Sequence, residues 1–264
     1  MPRQRLGQHF LSGQVWQRRI LGTLPRDPAG AWVEIGSGHG EMTRQLVPMA
    51  SRVVTIETDT RLADRLRERV AQSPAEWPNV EVVHADVLQQ DLGQLLPGRF
   101  RVYGNLPYYI TSPILHHLFR FADRIDSIHI VVQFEVAARI AAHPCRRAYG
   151  YLSAACQFYT RPEIVLRIPP GAFRPPPRVT SALLRMALPG GRAHLGILDE
   201  ARFLKFIQVC FGQKRKTLRN NLRSIIPDTR IAEALAASAV PADARAEQLT
   251  LPQFAALFSW TLQL

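Results

Sequence analysis

The sequence predicts an α/β protein with a mostly parallel sheet, followed by a small all-helical domain. Three observations carry this. Short apolar runs alternate with stretches of helical spacing through the first half of the chain, the texture changes after Arg161, and helical periodicity runs from Leu198 to Leu264.

The runs at residues 31–35, 52–56, 80–84, 100–103 and 127–132 are rich in β-branched residues, and each leads into helical spacing or a turn-rich loop. Met42, Leu46 and Met49 recur at helical spacing, as do Leu62, Leu66 and Val70, while Arg61, Arg65, Arg67 and Arg69 occupy other faces. These helices are expected to cover the sheet. Residues 164–168 and 179–186 read as two strands around a segment holding Pro169, Pro170, Pro175, Pro176 and Pro177. Proline lacks an amide donor and fixes φ, so this segment is expected to be a rigid extended loop. Leu188-Pro189-Gly190-Gly191 reads as a linker, and the rest, broken at Gly212, Pro227, Pro241 and Pro252, predicts four or five helices. The expected division is 1–188 and 189–264.

At 264 residues, 47% hydrophobic and 20% charged, the composition is that of a folded protein. A net charge of +12 points to a polyanionic partner, nucleic acid or an anionic membrane surface. A GC-rich genome explains arginine over lysine but not the excess of bases over acids. Cys145, Cys156 and Cys210 are too few and too scattered for a disulfide framework or a CxxC metal site, which suits a reducing cytosol. The basic N-terminus has no apolar signal core, and no later run approaches the ~18 apolar residues of a membrane span. The expectation is a cytoplasmic protein, off the membrane and monomeric.

Four motifs could carry chemistry. In Val33-Glu34-Ile35-Gly36-Ser37-Gly38-His39-Gly40-Glu41 a strand runs into a glycine-rich turn that opens a helix, allowing close approach of backbone to a nucleotide-type ligand. Alone it is also compatible with a plain βα turn. A dinucleotide fingerprint would place Gly or Ala at 41, where Glu41 would repel a pyrophosphate. Glu57 ends the next strand, where a carboxylate can accept from both ribose hydroxyls. A ribose-bearing, phosphate-free cofactor satisfies both observations, and S-adenosyl-L-methionine is the common one. Asp86, in His84-Ala85-Asp86-Val87-Leu88, either accepts from the adenine amine of that cofactor or caps the next turn.

The fourth motif is Gly104-Asn105-Leu106-Pro107-Tyr108-Tyr109-Ile110. The Asn105 side-chain oxygen and a nearby carbonyl, with Pro107 setting the turn, can accept both hydrogens of a planar exocyclic amine and aim its lone pair at a methyl group. Such catalysis is positioning and electrostatics and needs no strong base. Tyr108 can stack on an extruded base. The bland alternative is an Asn-Leu-Pro turn beside two core tyrosines. No P-loop, nucleophile elbow or zinc-protease motif occurs, Pro144-Cys145 lacks the second cysteine of a zinc deaminase, and adjacent His116 and His117 diverge on a helix, so no metal is expected.

With these motifs placed, the sequence resembles the ribosomal RNA adenine dimethyltransferases of the type that modifies small-subunit rRNA. Gly7-Gln8-His9-Phe10-Leu11, the glycine loop, Glu57, Asp86 and Asn105-Leu106-Pro107-Tyr108-Tyr109-Ile110-Thr111-Ser112-Pro113 are similar to its motifs in order. So are Gln133-Phe134-Glu135-Val136-Ala137, Phe173-Arg174-Pro175-Pro176-Pro177-Arg178-Val179 and Arg215-Lys216-Thr217-Leu218-Arg219-Asn220-Asn221-Leu222. The resemblance implies a Rossmann-like class I methyltransferase sheet with an antiparallel terminal hairpin, a catalytic domain at 1–188 and a helical RNA- or ribosome-binding domain at 189–264. It implies N6,N6-dimethylation of two adjacent adenosines by S-adenosyl-L-methionine, with rRNA in a preassembled small subunit as partner. Its cofactor set would be His9, Leu11, Gly36, Gly38, Glu57, Asp86, Val87 and Asn105. Asn105 and the Leu106 carbonyl would hold the amine, and Tyr108 and Phe173 would flank the base. Ser37, Phe134 and Thr180 depart from the usual Pro, Lys and Asp.

Two regions are expected to contact phosphates. No acid lies between Lys205 and Arg223, and Lys216, Arg219 and Arg223 are spaced to share a helical face, with Lys214 and Arg215 beside them. Glu163 is the one acid between Arg161 and Arg185, which places Arg174 and Arg178 in positive potential. Three other readings stand beside the small-subunit enzyme. They are a relative acting on large-subunit rRNA that confers macrolide resistance, a noncatalytic ribosome-assembly or transcription factor on the same fold, and a NAD-dependent dehydrogenase, which Glu41 disfavours.

Overall fold

The computed structural model describes residues 9–107, 109–213 and 215–263, and these divide into two compact units. The first holds the chain up to Ala137 together with Glu163–Leu188, and the second holds Ala138–Pro162 and Pro189–Leu264. The sequence expectation kept residues 1–188 together. The structure instead groups Ala138–Pro162 with the C-terminal helices, because the helix Tyr151–Tyr159 gives its apolar side to their aromatic core.

The strands, in chain order, are β1 Phe10–Leu11, β2 Ala31–Ile35, β3 Arg52–Glu57, β4 Val80–His84, β5 Phe100–Asn105, β6 Ile125–Gln133, β7 Arg161–Ile168, β8 Phe173–Arg174 and β9 Ser181–Ala187. Seven of them form one sheet in the order β4-β3-β2-β5-β6-β9-β7. β2 pairs in parallel with β3 and β5, β3 with β4, and β5 with β6, while β9 runs antiparallel to β6. This is the Rossmann-like arrangement expected. The strand order reverses direction between β2 and β5, the point at which a doubly wound sheet opens a crevice beyond its strand carboxyl ends. Separately, β1 and β8 form a two-stranded antiparallel ribbon with Leu11 opposite Phe173.

The helix Thr60–Gln72 shows why the sequence folds this way. The Asp59 side chain accepts from the Arg61 and Leu62 amides at 2.9 and 3.2 Å, capping the first turn. Leu62, Ala63 and Leu66 are buried, and Arg69 lies over the Trp77 ring at 5.2 Å. Met42, Leu46 and Met49 are also buried, although the α-helix ends at Leu46 and a 3₁₀ turn, Val47–Met49, carries the last of them.

Inside β2 lies a buried acid. Glu34 stands in register with Thr55 of β3 and Tyr103 of β5 and accepts from the Thr43 hydroxyl at 2.5 Å. Desolvation raises its pKa to about 7, more than the Thr43 hydrogen bond lowers it.

The second unit is built on aromatic packing. Phe203 meets Phe158 and Phe258 with ring centroids 5.1 and 5.3 Å apart, and Phe211 meets Phe254 at 5.7 Å. Within 198–264 its α-helices are Glu200–Cys210, Leu218–Leu222, Asp228–Ala237 and Leu251–Thr261 among the described residues, and the last is capped by a reciprocal Thr250–Gln253 pair. Buried Asn221 donates to the Cys210 carbonyl at 2.8 Å and accepts from the Gln213 amide at 3.0 Å. No helix among the described residues is long and apolar enough to cross a membrane.

Gly40 sits at φ +82°, and a Cβ there would meet Leu66 Cδ1 at 2.6 Å. Gly40→Ala is therefore expected to cost about 1–2 kcal/mol for the left-handed backbone alone, read as a lower urea midpoint. For Glu34 the folded pKa lies above the unfolded one, so the unfolded state releases its proton first as pH rises. The resulting loss of stability accrues between the ordinary value near 4.5 and the folded value of about 7, then levels. Glu34→Gln is expected to abolish that decline, gaining on the order of 2–3 kcal/mol over wild type between pH 4.5 and 7.5 in denaturant melts.

Candidate active site

The carboxyl ends of β4, β3, β2 and β5 stand side by side and bring the predicted motifs together around one cavity of about 350 Å³. Its size is that of a small-molecule site. His9, Leu11, Gly36, Gly38, Glu57, Asp86, Val87, Asn105, Leu106 and Pro107 all line it. Tyr108 and Lys214, and the Gly7-Gln8 part of the N-terminal motif, lie outside the described residues.

The glycine turn and Glu57 form one hydrogen-bonded unit. Gly36 turns at φ +77°, and its amide donates to the Ile56 carbonyl at 2.8 Å, tying the turn to the end of β3. Glu57 is buried, and each of its oxygens accepts from a backbone amide, Oε2 from Gly38 at 2.9 Å and Oε1 from Asp59 at 3.0 Å. A carboxylate so held has a fixed plane and retains lone pairs for a further donor. Phe10 lies over the turn: its ring is 4.8 Å from that of His39, and a Cβ on Gly38 would come within 3.0 Å of it.

Asp86 lines the cavity, and its Oδ1 caps the 3₁₀ turn Val87–Gln89 by accepting from the Leu88 amide at 2.9 Å. At the end of β5 the Asn105 Nδ2 donates to the His9 carbonyl at 2.8 Å. The Leu106 amide donates to the Val131 carbonyl at 3.1 Å, and Pro107 accepts from the Ile110 amide at 3.2 Å, fixing the turn.

Two expectations need correction. Phe173 was to flank a base, but it is 2% exposed and absent from the cavity wall. It belongs to the core with Leu11, because the β1–β8 ribbon turns its ring inward. Lys216 was to share a helical face with Arg219 and Arg223, but that helix spans only Leu218–Leu222, so Lys216 precedes it. Moreover Arg219 and Arg223 meet Asp228 at 3.4 and 3.1 Å, and the Arg223 guanidinium holds the Asp228 carboxyl below the usual carboxylate range. Arg174, Arg178, Arg215, Lys216, Arg219 and Arg223 are exposed. The first two lie in one unit and the other four in the second.

Glu34, Glu41, Tyr103 and Tyr109 also line the cavity, although none was among the predicted site residues. Glu34 was signalled by its place inside an otherwise apolar strand. Tyr109, 66% exposed, is the aromatic face available at the cavity among the described residues of this loop. Of the departures, the Phe134 ring lies under the Arg167 guanidinium at 4.1 Å, and the Thr180 carbonyl accepts from the Phe134 amide at 2.9 Å.

The chain is 45% identical over 257 residues to the ribosomal RNA small subunit methyltransferase A of Acidobacterium capsulatum, covering 96% of this chain and 89% of that one. It is 40% identical to the protein of the same name from Koribacter versatilis, covering 97% and 93%. Among solved structures, a dimethyladenosine transferase from Plasmodium falciparum superposes with a TM-score of 0.81 at 22% identity, covering 94% of this chain and 96% of that one. The 23S rRNA methyltransferase ErmE superposes with a TM-score of 0.72 at 27% identity, covering 97% and 100%. The family described as ribosomal RNA adenine dimethylase matches residues 2–263, and the chain belongs to that family.

Proposed function

We propose that the protein transfers methyl groups from S-adenosyl-L-methionine to N6 of two adjacent adenosines in small-subunit rRNA. The observation that carries the cofactor is the charge of the cavity wall: the acids Glu41, Glu57 and Asp86 line it, and no Lys or Arg among the described residues does, in a chain of net charge +12. Such a wall disfavours phosphates and suits a cationic nucleoside. Bound there, S-adenosyl-L-methionine supplies the electrophilic methyl group. Glu57, with both oxygens anchored, accepts from ribose hydroxyls, and Asp86 and the Val87 backbone face the adenine. The small-subunit substrate is favoured by the relatives at 40–45% identity, whose names specify it.

Asn105 does the positioning. Its NH2 is committed to the His9 carbonyl, which leaves Oδ1 as an acceptor for one amine hydrogen, and the Leu106 carbonyl takes the other. Fixing both hydrogens orients the nitrogen lone pair and favours its change from planar to tetrahedral as the bond to carbon forms. Tyr108 and Tyr109 are the aromatic groups of this loop, suited to holding the extruded base. The exposed Arg174 and Arg178 in one unit, and Arg215 and Lys216 in the other, contact phosphates of the small subunit.

Asn105→Ala is expected to retain S-adenosyl-L-methionine binding by calorimetry and to lose about 10²–10³ in kcat on unmethylated small subunits. Normal turnover would refute the amine clamp. Charge reversal at Arg215 and Lys216 together is expected to weaken binding to the subunit and flatten its salt dependence by about two released counterions. An unchanged slope of log affinity against log salt would remove these residues from the interface.

A further inference from the structure

We propose that Gln17, which lies outside the cavity wall, is a positioning residue for methyl transfer: it fixes the N-terminal segment whose His9 carbonyl orients Asn105. The inference rests on the amine-clamp reading of Asn105 given above.

A side-chain amide is ambiguous, since rotation by half a turn exchanges its donor and acceptor ends. The His9 carbonyl can only accept, so the bond at 2.8 Å selects the rotamer with NH2 toward His9 and Oδ1 away from it. In the reverse rotamer the NH2 would face the substrate amine and repel its hydrogens. The orientation of a reacting group therefore depends on where one backbone carbonyl sits.

That carbonyl belongs to a short element. β1 has two residues, paired with the two of β8, and His9 extends it by donating from Nδ1 to the Pro175 carbonyl at 2.7 Å. Beyond β1 the Ser12 amide donates to Ala172 at 3.0 Å. A further tie comes from a different element. Gln17, on the helix Gln14–Leu21, sends its Nε2 to the Leu11 carbonyl at 2.9 Å. Gln17 is 7% exposed and shares the buried side of that helix with Ile20. Burying an amide there costs free energy unless it is bonded, and an apolar residue would fill the same space, so its polar end is spent on holding Leu11 in place. From Gln17 the line runs through the Leu11–His9 backbone to Asn105. A displacement of about 1 Å at a reacting group is enough to cost about 10²-fold in rate.

The test uses the full-length enzyme with unmethylated small subunits. Gln17→Met keeps the volume and removes the donor. It is expected to lower kcat at least 10-fold at saturating S-adenosyl-L-methionine. In an Asn105→Ala background the same change is expected to have no further effect on kcat. Gln17→Glu supplies the second measurement. Ionised, it repels the Leu11 carbonyl; protonated, it donates to it. Its kcat relative to wild type is therefore expected to rise as pH falls from 8 to 6, a recovery that a misfolded variant would not give. If Asn105→Ala itself turns over normally, the clamp reading fails. If Asn105→Ala is impaired but Gln17→Met matches wild type, or lowers the Asn105→Ala rate by the same factor as in wild type, or the Gln17→Glu ratio is flat with pH, this inference is overturned and the clamp stands.

Discussion

The site depends first on the commitment of Glu57 to two backbone amides. The Gly38 and Asp59 N–H groups come from two different loops, one following β2 and the other following β3, and a single carboxylate accepts from both. Charge-assisted hydrogen bonds of this kind are roughly twice as strong as neutral ones, and here they also set geometry. They hold the glycine turn at a fixed distance from the end of the neighbouring strand β3, and so fix one side of the crevice that opens between β2 and β5. Replacing the acid would free both loops at once, which ties ligand recognition and local architecture to the same group.

The distribution of charge has a second logic. The chain is strongly basic as a whole, yet its cavity wall is acidic. A long-range positive field attracts a polyanion to the surface, while the short-range negative wall disfavours phosphate in the cavity. The surface field is not uniform either. Asp228 sits between Arg219 and Arg223 and offsets part of their charge, so in the helical unit the unopposed potential shifts toward Arg215 and Lys216.

Much of this was legible in the residues, for identifiable reasons. Parallel strands leave apolar runs, and the loops at their carboxyl ends carry the cavity-lining acids, so Glu57 and Asp86 could be found by order alone. The limits of β2 were legible for the same reason. Pairings distant in sequence were not. Nothing local announces that Phe10 and Leu11 pair with a segment 160 residues away, and so the burial of Phe173, the His9–Asn105 bond and the role open to Gln17 were invisible. Proline signals marked 169–177 as an extended loop, whereas Pro170–Ala172 form a 3₁₀ turn before β8, and they gave no hint of which way its aromatic residue would face. The acid opposite Arg219 and Arg223 was missed because spacing along one helix is silent about the N-terminus of the next. The affiliation of Ala138–Pro162 was hidden for a similar reason, since its helix looks like one more layer on the sheet until its aromatic partners are known.

The ribbon of β1 and β8 has a consequence for biogenesis. Ligand-facing groups near the start of the chain are held in place by residues 173 and 174, so this contact has very high sequence separation, and loop-closure entropy delays such contacts relative to local ones. On a translating ribosome the central parallel strands can pair while the N-terminal segment still lacks its partner. Only after some 175 residues have left the exit tunnel can the pocket acquire its roof, so a nascent chain of this protein would gain a sheet well before it gained the ability to retain a ligand.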